Sequence, residues 1–245
     1  MANDQLIYGL RPIIQAVQDG QTIDKVFLQK GLGGTLYTQL EGTLRDAGIV
    51  PKYVPVEKLN RVTRGNHQGA VAYLSPIDFF DLEEIIAKAL EENRNPLILA
   101  LDRITDVRNF GAIARTADCS GVDAIVIPKN DSAPVSADAV RTSTGALLEV
   151  PVCKVAHMKD AVFVAQSLGL KIIAATEKSE TSMYEAPLGE PCMLIMGNEE
   201  TGVHKSLLQL ADAKALIPMS GQINSLNVSV ATGVLLYEAV RQRKS

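Results

Sequence analysis

Five apolar runs of strand length in residues 96–245 constrain the fold of this chain more than any other feature. Near-continuous apolar strands that alternate with helical segments are typical of a mainly parallel sheet covered on both faces. We therefore predict an α/β domain here. Ligands of such sheets bind beyond the carboxyl ends of the strands, which directs attention to the loops after Asp102, Gly197 and Pro218. The runs are PLILALD, AIVIP, KIIAAT, CMLIMG and KALIP.

A smaller pattern precedes this region. In residues 1–77, short helical and extended segments alternate, which predicts a small α/β domain. Residues 78–95 carry apolar side chains at helical spacing and predict a connecting helix to the larger domain, residues 96–245. The net charge of −4 argues mildly against nucleic-acid binding, but residues 1–77 alone hold eight basic and six acidic side chains. The acidity is concentrated in the connecting helix.

Composition and spacing exclude several classes of protein. No stretch approaches the roughly 20 apolar residues that cross a bilayer, and the first residues lack the pattern of a secretion signal. We therefore expect a cytoplasmic protein without a membrane segment. The three cysteines and three histidines are too far apart for a disulfide framework or a zinc site, so we expect no metal and buried, apolar thiols. These cysteines are Cys119, Cys153 and Cys192.

Small and polar residues crowd the segment after the first apolar run. Gly111 lets the backbone and a neighbouring helix approach closely, and the free amides at a helix start suit an anion such as a phosphate. Asn109 lies in the same segment, and Arg115 follows Gly111 by about one helical turn. A capped helix with a surface arginine is the alternative interpretation. No G-x-G-x-x-G follows the strand, so the dinucleotide-binding fingerprint is absent.

The fourth apolar run opens into the sequence GNEETGV. Gly197 permits a close approach to a flat ligand, and a carboxylate such as Glu199 at a strand end can accept hydrogen bonds from a ligand. A solvated turn is the alternative. The Gly-Lys-Ser/Thr of a P-loop is missing, which excludes that motif.

The last run opens into IPMSGQINSLNVSVATG, where polar residues alternate with apolar ones at the entrance to an apolar helix. Such residues compete with the helix backbone for hydrogen bonds, so their presence needs a reason. Ser225 has an N-cap as its alternative interpretation. Asn227 is one turn further, where a partly buried amide would require partners.

These three segments resemble the SpoU/TrmH family of RNA 2′-O-ribose methyltransferases. The segments YGLRPIIQAV, DKVFLQK and HQGAVAY resemble the family's small substrate-binding domain, so the resemblance covers nearly the whole chain. The family commonly has proline after the aspartate of the first motif, whereas Val107 follows Asp106 here, which frees φ and restores an N–H. The matching positions are Asn109, Gly111, Ala112 and Arg115 in the first motif, Gly197, Glu199 and Gly202 in the second, and residues 217–231 in the third.

The resemblance implies a fold and a function. It implies a trefoil-knotted, mainly parallel catalytic domain of the SPOUT type in residues 96–245, a small N-terminal α/β RNA-binding domain, and a homodimer formed through the catalytic domain. The implied reaction transfers a methyl group from S-adenosylmethionine to a ribose 2′-hydroxyl. The two-domain layout is most similar to the branch that methylates a guanosine of 23S ribosomal RNA. Methylation of transfer RNA, or a non-catalytic RNA-binding or ribosome-assembly protein of the same fold, are the alternatives.

The resemblance also assigns residues to the site. The family's arginine is often described as a base, but a guanidinium with a pKa above about 12 is a poor proton acceptor. We therefore expect Arg115 to clamp a phosphate and stabilise the developing alkoxide, and Glu199 to orient Arg115 or a ribose hydroxyl. The catalytic candidates are Arg115, Asn109, Glu199, Ser225 and Asn227, and the cofactor-binding candidates are Gly197, Ile217, Leu226 and Thr176.

One polar segment of the first domain is a candidate RNA-binding loop. It combines cationic and hydrogen-bonding side chains, with a plain polar turn as the alternative. Its candidate residues are Arg61, Arg64, Asn66, His67 and Gln68.

Overall fold

The computed structural model describes residues 6–222 and 225–244, which form two compact units. The first unit contains the described residues up to Asp78 together with Val135–Ala137. The second contains Phe79–Pro134 and the described residues from Asp138 onward.

The first unit is a four-stranded sheet with helices on both faces. The strand order is β1-β4-β2-β3, in which β4 pairs antiparallel with β1 and β2, and β3 pairs parallel with β2. One core lies between the sheet and helices α1 and α2, and a smaller one contains Val54, Leu59 and Val71. The elements are β1 (Leu6–Tyr8), α1 (Leu10–Gln18), β2 (Ile23–Gln29), α2 (Thr35–Asp46), β3 (Lys52–Val54), α3 (Val56–Val62) and β4 (Ala70–Leu74).

The second unit contains a six-stranded sheet in the order β10-β8-β9-β5-β6-β7. All five pairings are parallel, which confirms the mainly parallel sheet predicted from the sequence. Its strands are β5 (Leu97–Leu101), β6 (Ala124–Pro128), β7 (Val152–Val155), β8 (Lys171–Ala175), β9 (Cys192–Met196) and β10 (Ala213–Ala215). Its helices are α4 (Leu82–Glu91), α5 (Val107–Ser120), α6 (Ala137–Thr142), α7 (Met158–Ser167), α8 (Lys205–Leu208) and α9 (Val228–Lys244), with a 3-10 helix at Ala146–Leu148.

Both faces of the six-stranded sheet are buried, which explains the continuous apolar runs. Ile98 and Ala100 of β5 pack into a core with residues of α4 and α7. The alternate residue Leu99 is equally buried, so the opposite face is covered too. The helix predicted at residues 78–95 is α4, and it contributes Ile86 to this core. The segment is therefore a packed helix of the second unit as well as a connection.

The C-terminal end of α9 is fixed to the amino ends of the central strands. The Arg243 guanidinium donates hydrogen bonds to backbone carbonyls just before β9, at 2.7 Å for Glu190 and 3.0 Å for Leu188, and to others just before β5. The carbonyls before β5 are those of Asn95 and Pro96. A planar guanidinium can satisfy several carbonyl oxygens at once, and each bond is charge-assisted.

Neighbouring polar groups on α9 extend this anchor. The buried carboxylate of Glu238 accepts hydrogen bonds from Arg241 at 2.7 and 2.9 Å and from Gln242 at 2.8 Å. The bonds from Arg241 are the largest cause that lowers the pKa of Glu238 below its ordinary value. Gln242 in turn accepts the Gly189 N–H at 2.9 Å, which ties the helix to the loop before β9.

The cysteines do not share one environment. Cys153 and Cys192 are buried as expected, but Cys119 is exposed, because it lies on the solvent face of α5. Burial raises the pKa of Cys153 to about 12. Burial also raises the pKa of Cys192, although the nearby Arg243 partly opposes the shift. Among the described residues, no helix has the length and apolar character needed to cross a bilayer.

We predict that an aromatic disulfide reagent at about pH 8 modifies Cys119 in the folded protein, whereas Cys153 and Cys192 react only after denaturation. Thiolate is the reactive form, and burial disfavours it at the two core positions. Released chromophore, measured before and after addition of guanidinium chloride, counts the thiols. Cys119→Ser is the control and should abolish the fast reaction. A fast-reacting thiol in that variant would contradict the prediction.

Candidate active site

The loops singled out in the sequence leave the sheet at one edge. β5 and β9 are neighbours that pair in parallel from Leu97 with Cys192 to Leu101 with Met196. The ladder continues one step further, where the Asp102 N–H donates to the Met196 carbonyl at 2.8 Å. The first and second motifs therefore begin side by side, although they are far apart in the chain.

Three of the predicted catalytic residues form a hydrogen-bonded triangle. The Nδ2 atoms of Asn109 and Asn227 both donate to Oε1 of Glu199, at 2.9 and 2.8 Å. Asn227 Nδ2 also lies 3.0 Å from the accepting Oδ1 of Asn109. Hydrogen bonds to a carboxylate are stronger than those between neutral groups. The triangle thus joins one residue from each motif.

Helix capping sets the positions of the two amides. Asp106 caps α5 by accepting the Asn109 N–H at 2.8 Å, so the loss of proline at position 107 does not remove the cap. Asn227 caps α9, since its Oδ1 accepts the Ser229 N–H at 2.9 Å. Because Oδ1 is used in the cap, Nδ2 is left to donate within the triangle.

Exposure within the triangle differs from the sequence-based expectation for Asn227. That amide was expected to be partly buried, but the residue is exposed, and its side chain is held by hydrogen bonds instead of by packing. Glu199 is also exposed. Its second oxygen, Oε2, accepts no hydrogen bond from a described residue. Oε1 of Glu199 is therefore occupied by the two asparagines, and Oε2 can accept a hydrogen bond from a ligand.

A second network braces the two loops against each other, and sequence reasoning missed it. The Arg103 guanidinium donates to both oxygens of Asp102, at 3.2 and 3.0 Å, and to the Gly202 carbonyl at 3.0 Å. Asp102 also accepts the His204 N–H at 2.7 Å, and Asn198 Nδ2 donates to the Arg103 carbonyl at 3.1 Å. These bonds fix the ends of the loop that carries Glu199.

The backbone at Arg103 supports a positioning role. Its φ is +59°, in the left-handed region that residues other than glycine seldom adopt. Such a conformation costs about 1 kcal/mol or more and persists where surrounding contacts determine it. No periodicity or motif in the sequence marks this position. Its one available signal was its place directly after Asp102, at the end of a buried strand.

Two glycines of the motifs are required by close packing. A Cβ built on Gly197 would lie 2.0 Å from the backbone nitrogen of Val203 and 2.1 Å from the carbonyl carbon of Gly202. A Cβ on Gly111 would lie 2.6 Å from Cβ of Thr142. In both places the neighbouring segment occupies the space of a side chain. The loop after β9 therefore folds back onto the end of its strand.

Arg115 takes no part in the hydrogen-bonded triangle. It is exposed on α5, six residues after Asn109, which is about 1.7 turns and therefore a different face of the helix. It makes no hydrogen bond or ion pair with any residue in the described ranges, and Glu199 bonds to the two amides instead. Arg115 borders an open cleft of about 310 Å³, which the turn at residues 143–146 and the carboxylates of Asp118 and Glu149 also line.

The cofactor candidates come from three neighbouring strand ends. Thr176 follows β8, and its N–H donates to the Ala215 carbonyl at 3.1 Å, which joins it to the end of β10. Gly197 follows β9, Ile217 follows β10, and Leu226 lies exposed before α9. Since β10, β8 and β9 are adjacent in the sheet, their carboxyl-terminal loops leave from the same edge. Ser225 is exposed in the same segment as Leu226.

In the first unit, the candidate RNA-binding residues have different environments. Arg61, Arg64 and Gln68 are exposed, but His67 is only 9% exposed. Its Nδ1 accepts the Gly69 N–H at 3.0 Å, so Nε2 carries the proton and donates to Oδ1 of Asn60 at 2.8 Å. His67 thus orders the loop on which the other candidates lie.

Comparisons with known proteins cover both units. The sequence profile of the SpoU rRNA Methylase family matches residues 96–237, and the profile described as RNA 2′-O ribose methyltransferase substrate binding matches residues 6–80. The chain is 33% identical to the 23S rRNA (guanosine-2′-O-)-methyltransferase RlmB of Photorhabdus laumondii, over 98% of this chain and 99% of that protein. It is 30% identical to a putative TrmH family tRNA/rRNA methyltransferase of Staphylococcus saprophyticus, over 97% and 96%.

A solved structure is similar over nearly the same length. The AdoMet-bound rRNA methyltransferase from Sinorhizobium meliloti superimposes with a TM-score of 0.62 at 27% identity, over 97% of this chain and 87% of that one. The parallel sheet, the polar cluster at the carboxyl ends of its strands and these matches together define a methyltransferase with an α/β fold. The chain belongs to the SpoU rRNA methylase family and is an RNA 2′-O-ribose methyltransferase, as the sequence motifs predicted.

We predict that Arg103→Ala lowers kcat/KM for methyl transfer about tenfold, equivalent to about 1.4 kcal/mol of transition-state stabilisation. The reason is that the loop holding Glu199 loses its bond from Arg103 to the Gly202 carbonyl. Arg45→Ala is the control, since Arg45 is an exposed arginine of α2 that lies 4.0 Å from Asp46 and has no bond to these loops. Kinetics with labelled methyl donor give the values.

A lysine variant tests the geometry of this brace. Arg103→Lys keeps the charge but cannot contact Asp102 and Gly202 together through a planar fork, so it should recover part of the loss at most. Equal activity in Arg103→Ala and Arg45→Ala would show that the brace does not position the site.

Proposed function

We propose that this enzyme methylates the 2′-hydroxyl of a guanosine in 23S ribosomal RNA. The observation that carries the proposal at the level of chemistry is the triangle of Asn109, Glu199 and Asn227, which leaves one carboxylate oxygen for a ligand hydroxyl. The choice of ribosomal RNA is supported by the 33% identity, across almost the entire length of both chains, to the RlmB relative.

The methyl donor is S-adenosylmethionine, which supplies an activated methyl group on a sulfonium. The edge formed by β8, β9 and β10 suits such a ligand, because Met219 and Leu226 in the segment after β10 leave apolar surface exposed for a flat ring. We propose that Thr176, Gly197, Ile217 and Leu226 hold it, mainly through backbone groups.

The protein's own contribution to the reaction is placement and charge stabilisation. We propose that Oε2 of Glu199 accepts the hydrogen bond of the ribose hydroxyl and aims its oxygen at the methyl carbon. Asn109 and Asn227 hold the carboxylate from the other side. Ser225, exposed beside this edge, adds a hydroxyl contact to the substrate.

Arg115 has a separate role in this proposal. Its guanidinium has no carboxylate partner among the described residues, so its charge is free to bind a phosphate of the RNA. A forked contact to phosphate would position the substrate and stabilise negative charge that develops on the ribose oxygen. Asp118 and Glu149 line the same cleft, and their negative charges repel further phosphates. The cleft therefore suits contact with one phosphate and not with a longer stretch of RNA backbone.

The chain layout assigns these tasks to different segments. We propose residues 1–77 as the RNA-binding domain, 78–95 as the linker helix and 96–245 as a trefoil-knotted methyltransferase domain. The family profiles at 6–80 and 96–237 support this division. Ribosomal RNA is made and modified in the bacterial cytoplasm, where we propose that the enzyme acts.

We also propose a homodimer through the second unit. Val230 and Tyr237 on α9 are 52% and 53% exposed, and their spacing of seven residues puts them on one face of the helix. Val234, on the same face between them, is only partly buried, so the three side chains form a continuous stripe, and contiguous exposed apolar surface marks protein interfaces. Ile223 and Asn224, just before this helix, lie outside the described residues.

Methylation of transfer RNA is the second candidate function. The relative from Staphylococcus saprophyticus, whose name includes both tRNA and rRNA, supports it at 30% identity. A non-catalytic RNA-binding protein is less well supported, because the three motif residues of the triangle are present and hydrogen-bonded together.

We predict that labelled S-adenosylmethionine transfers its methyl group to unmodified 23S ribosomal RNA and leaves transfer RNA unlabelled. Nuclease digestion should place the label on the ribose of one guanosine. Arg115→Ala should lower kcat at least about a hundredfold, because loss of one electrostatic contact to the transition state costs that much in other enzymes. Arg45→Ala is the control, because Arg45 is an exposed arginine of α2 that lies 4.0 Å from Asp46.

The outcomes separate the alternatives. Label on transfer RNA alone would replace the proposed substrate, and full activity in Arg115→Ala would remove its role. Label on neither RNA, with cofactor binding intact by calorimetry, would indicate an assembly intermediate as the substrate. Absence of both methyl transfer and cofactor binding would support the non-catalytic alternative.

We predict a dimer in sedimentation velocity at micromolar concentration, and a shift to monomer in Tyr237→Arg. A charge placed in an apolar contact is costly to bury. Phe163→Arg is the control, because Phe163 on α7 is 52% exposed, nearly as much as Tyr237, and lies on a different helix. A monomeric wild type, or equal effects of the two substitutions, would contradict an interface on this face of α9.

A further inference from the structure

Tyr8 is an exposed aromatic residue at the end of β1 in the first unit. Its side chain is 40% exposed, whereas Tyr37, another tyrosine of this unit, is buried in the core. A single exposed aromatic residue is ordinary on a protein surface. Two further features of its surroundings indicate a specific use.

The first feature is a glycine that contacts the tyrosine ring. A Cβ built on Gly65 would lie 2.5 Å from both Cε2 and Cζ of Tyr8 and 2.6 Å from its hydroxyl oxygen. Any side chain at position 65 would therefore displace the ring. The backbone of Gly65 supports the ring on one side and leaves other ring surface open to solvent.

The loop that carries Gly65 is itself held in place. Gly65 N–H donates to the Thr63 hydroxyl at 3.1 Å, and the buried His67 accepts the Gly69 N–H. The Gly9 N–H donates to the Ala70 carbonyl at 2.9 Å, which fixes the residue after Tyr8 to the end of the same loop. The ring is thus presented in a defined orientation, and little conformational entropy is lost when a ligand packs on it.

The second feature is unneutralised positive charge. Arg64 precedes Gly65, Arg61 lies in the last turn of α3, and Arg11 lies in the first turn of α1. All three are exposed, and none forms an ion pair with a described carboxylate. By contrast, Arg45 in the same unit lies 4.0 Å from Asp46. Arg64 adjoins the glycine that contacts the ring, and Arg11 follows Tyr8 by three residues, so this positive charge lies close to the ring in the chain.

We propose that Tyr8, with Gly65 against its ring and Arg11, Arg61 and Arg64 close to these two residues in the chain, is a stacking platform for an unpaired base of single-stranded RNA. Aromatic rings bind unpaired bases by stacking, and arginines bind the adjoining phosphates. A paired base in a helix cannot offer its face to the ring, so duplex RNA is disfavoured here. The inference deepens the proposed function and rests on it for the class of substrate.

The experiment measures binding of a short, fluorescein-labelled single-stranded RNA to the full-length protein by anisotropy. Tyr8→Ala should weaken binding about tenfold, as expected for loss of one base–aromatic stack. Tyr8→Phe keeps the ring and should bind within about twofold of wild type. The matched control is Tyr53→Ala, since Tyr53 is 46% exposed in the same unit and its hydroxyl donates to Glu41.

Two further measurements separate stacking from a structural effect. The same RNA annealed to its complement should bind wild type and Tyr8→Ala equally. In methyl transfer, Tyr8→Ala should raise KM for RNA and leave kcat at saturation unchanged. Gly65→Ala keeps every RNA-contacting side chain but displaces the ring, so it should also weaken binding of single-stranded RNA. An unchanged thermal unfolding midpoint in Tyr8→Ala and Tyr8→Phe would confirm that these variants keep the fold.

Wild-type affinity in Tyr8→Ala, or an equal loss in Tyr53→Ala, would overturn the platform. An equal loss in Tyr8→Phe would show that the hydroxyl, and not the ring, makes the contact. These results are distinguishable from failure of the proposed function. Tyr8-dependent RNA binding without methyl transfer would remove the proposed reaction and keep the platform, whereas methyl transfer with Tyr8-independent binding would do the reverse.

Discussion

The parallel pairing of β5 with β9 is the constraint on which the candidate active site depends. Parallel strands end at the same edge of a sheet, so the pairing brings together loops from distant parts of the chain. The contacts from Arg103 to Gly202 and from Asn198 to Arg103 then join those loops directly. Asn109 and Glu199 meet as a consequence, across 90 residues of sequence. Without the neighbouring loop after β5, the loop that carries Glu199 would lose the partner of its Gly202 carbonyl.

Helix α9 connects this edge of the sheet to the opposite one. Its first turn is capped by Asn227, which donates to Glu199 at the carboxyl ends of the strands. Its last turn carries Arg243, which contacts carbonyls at the amino ends of β5 and β9. Because a helix is nearly rigid along its axis, anchoring at the C-terminal end restricts where Asn227 can lie. The third motif is therefore placed by packing and hydrogen bonds far from the site itself.

The two units contribute different chemistry to RNA recognition. The second unit presents hydrogen-bonding groups at a sheet edge and an arginine, Arg115, without a carboxylate partner among the described residues. The first unit presents an aromatic ring, Tyr8, that the backbone of Gly65 supports. Polar groups at the carboxyl ends of strands suit placement of one hydroxyl, whereas an exposed ring with arginines nearby in the chain suits sequence-tolerant binding of single-stranded RNA. This division explains how a chain of net negative charge binds an anionic substrate.

The sequence by itself determined the parallel sheet, the helix at α4 and the three motifs, because continuous apolar runs and local residue order carry that information. It also predicted that Asn227 needs partners. Only the tertiary structure decided that Asn227 finds them while exposed and that Cys119 faces solvent. The brace at Arg103 also came from the tertiary structure alone. The physical reason is that the bonds of Asn227 to Glu199 and Asn109 join residues 28 and 118 positions apart, which no local pattern of side chains specifies.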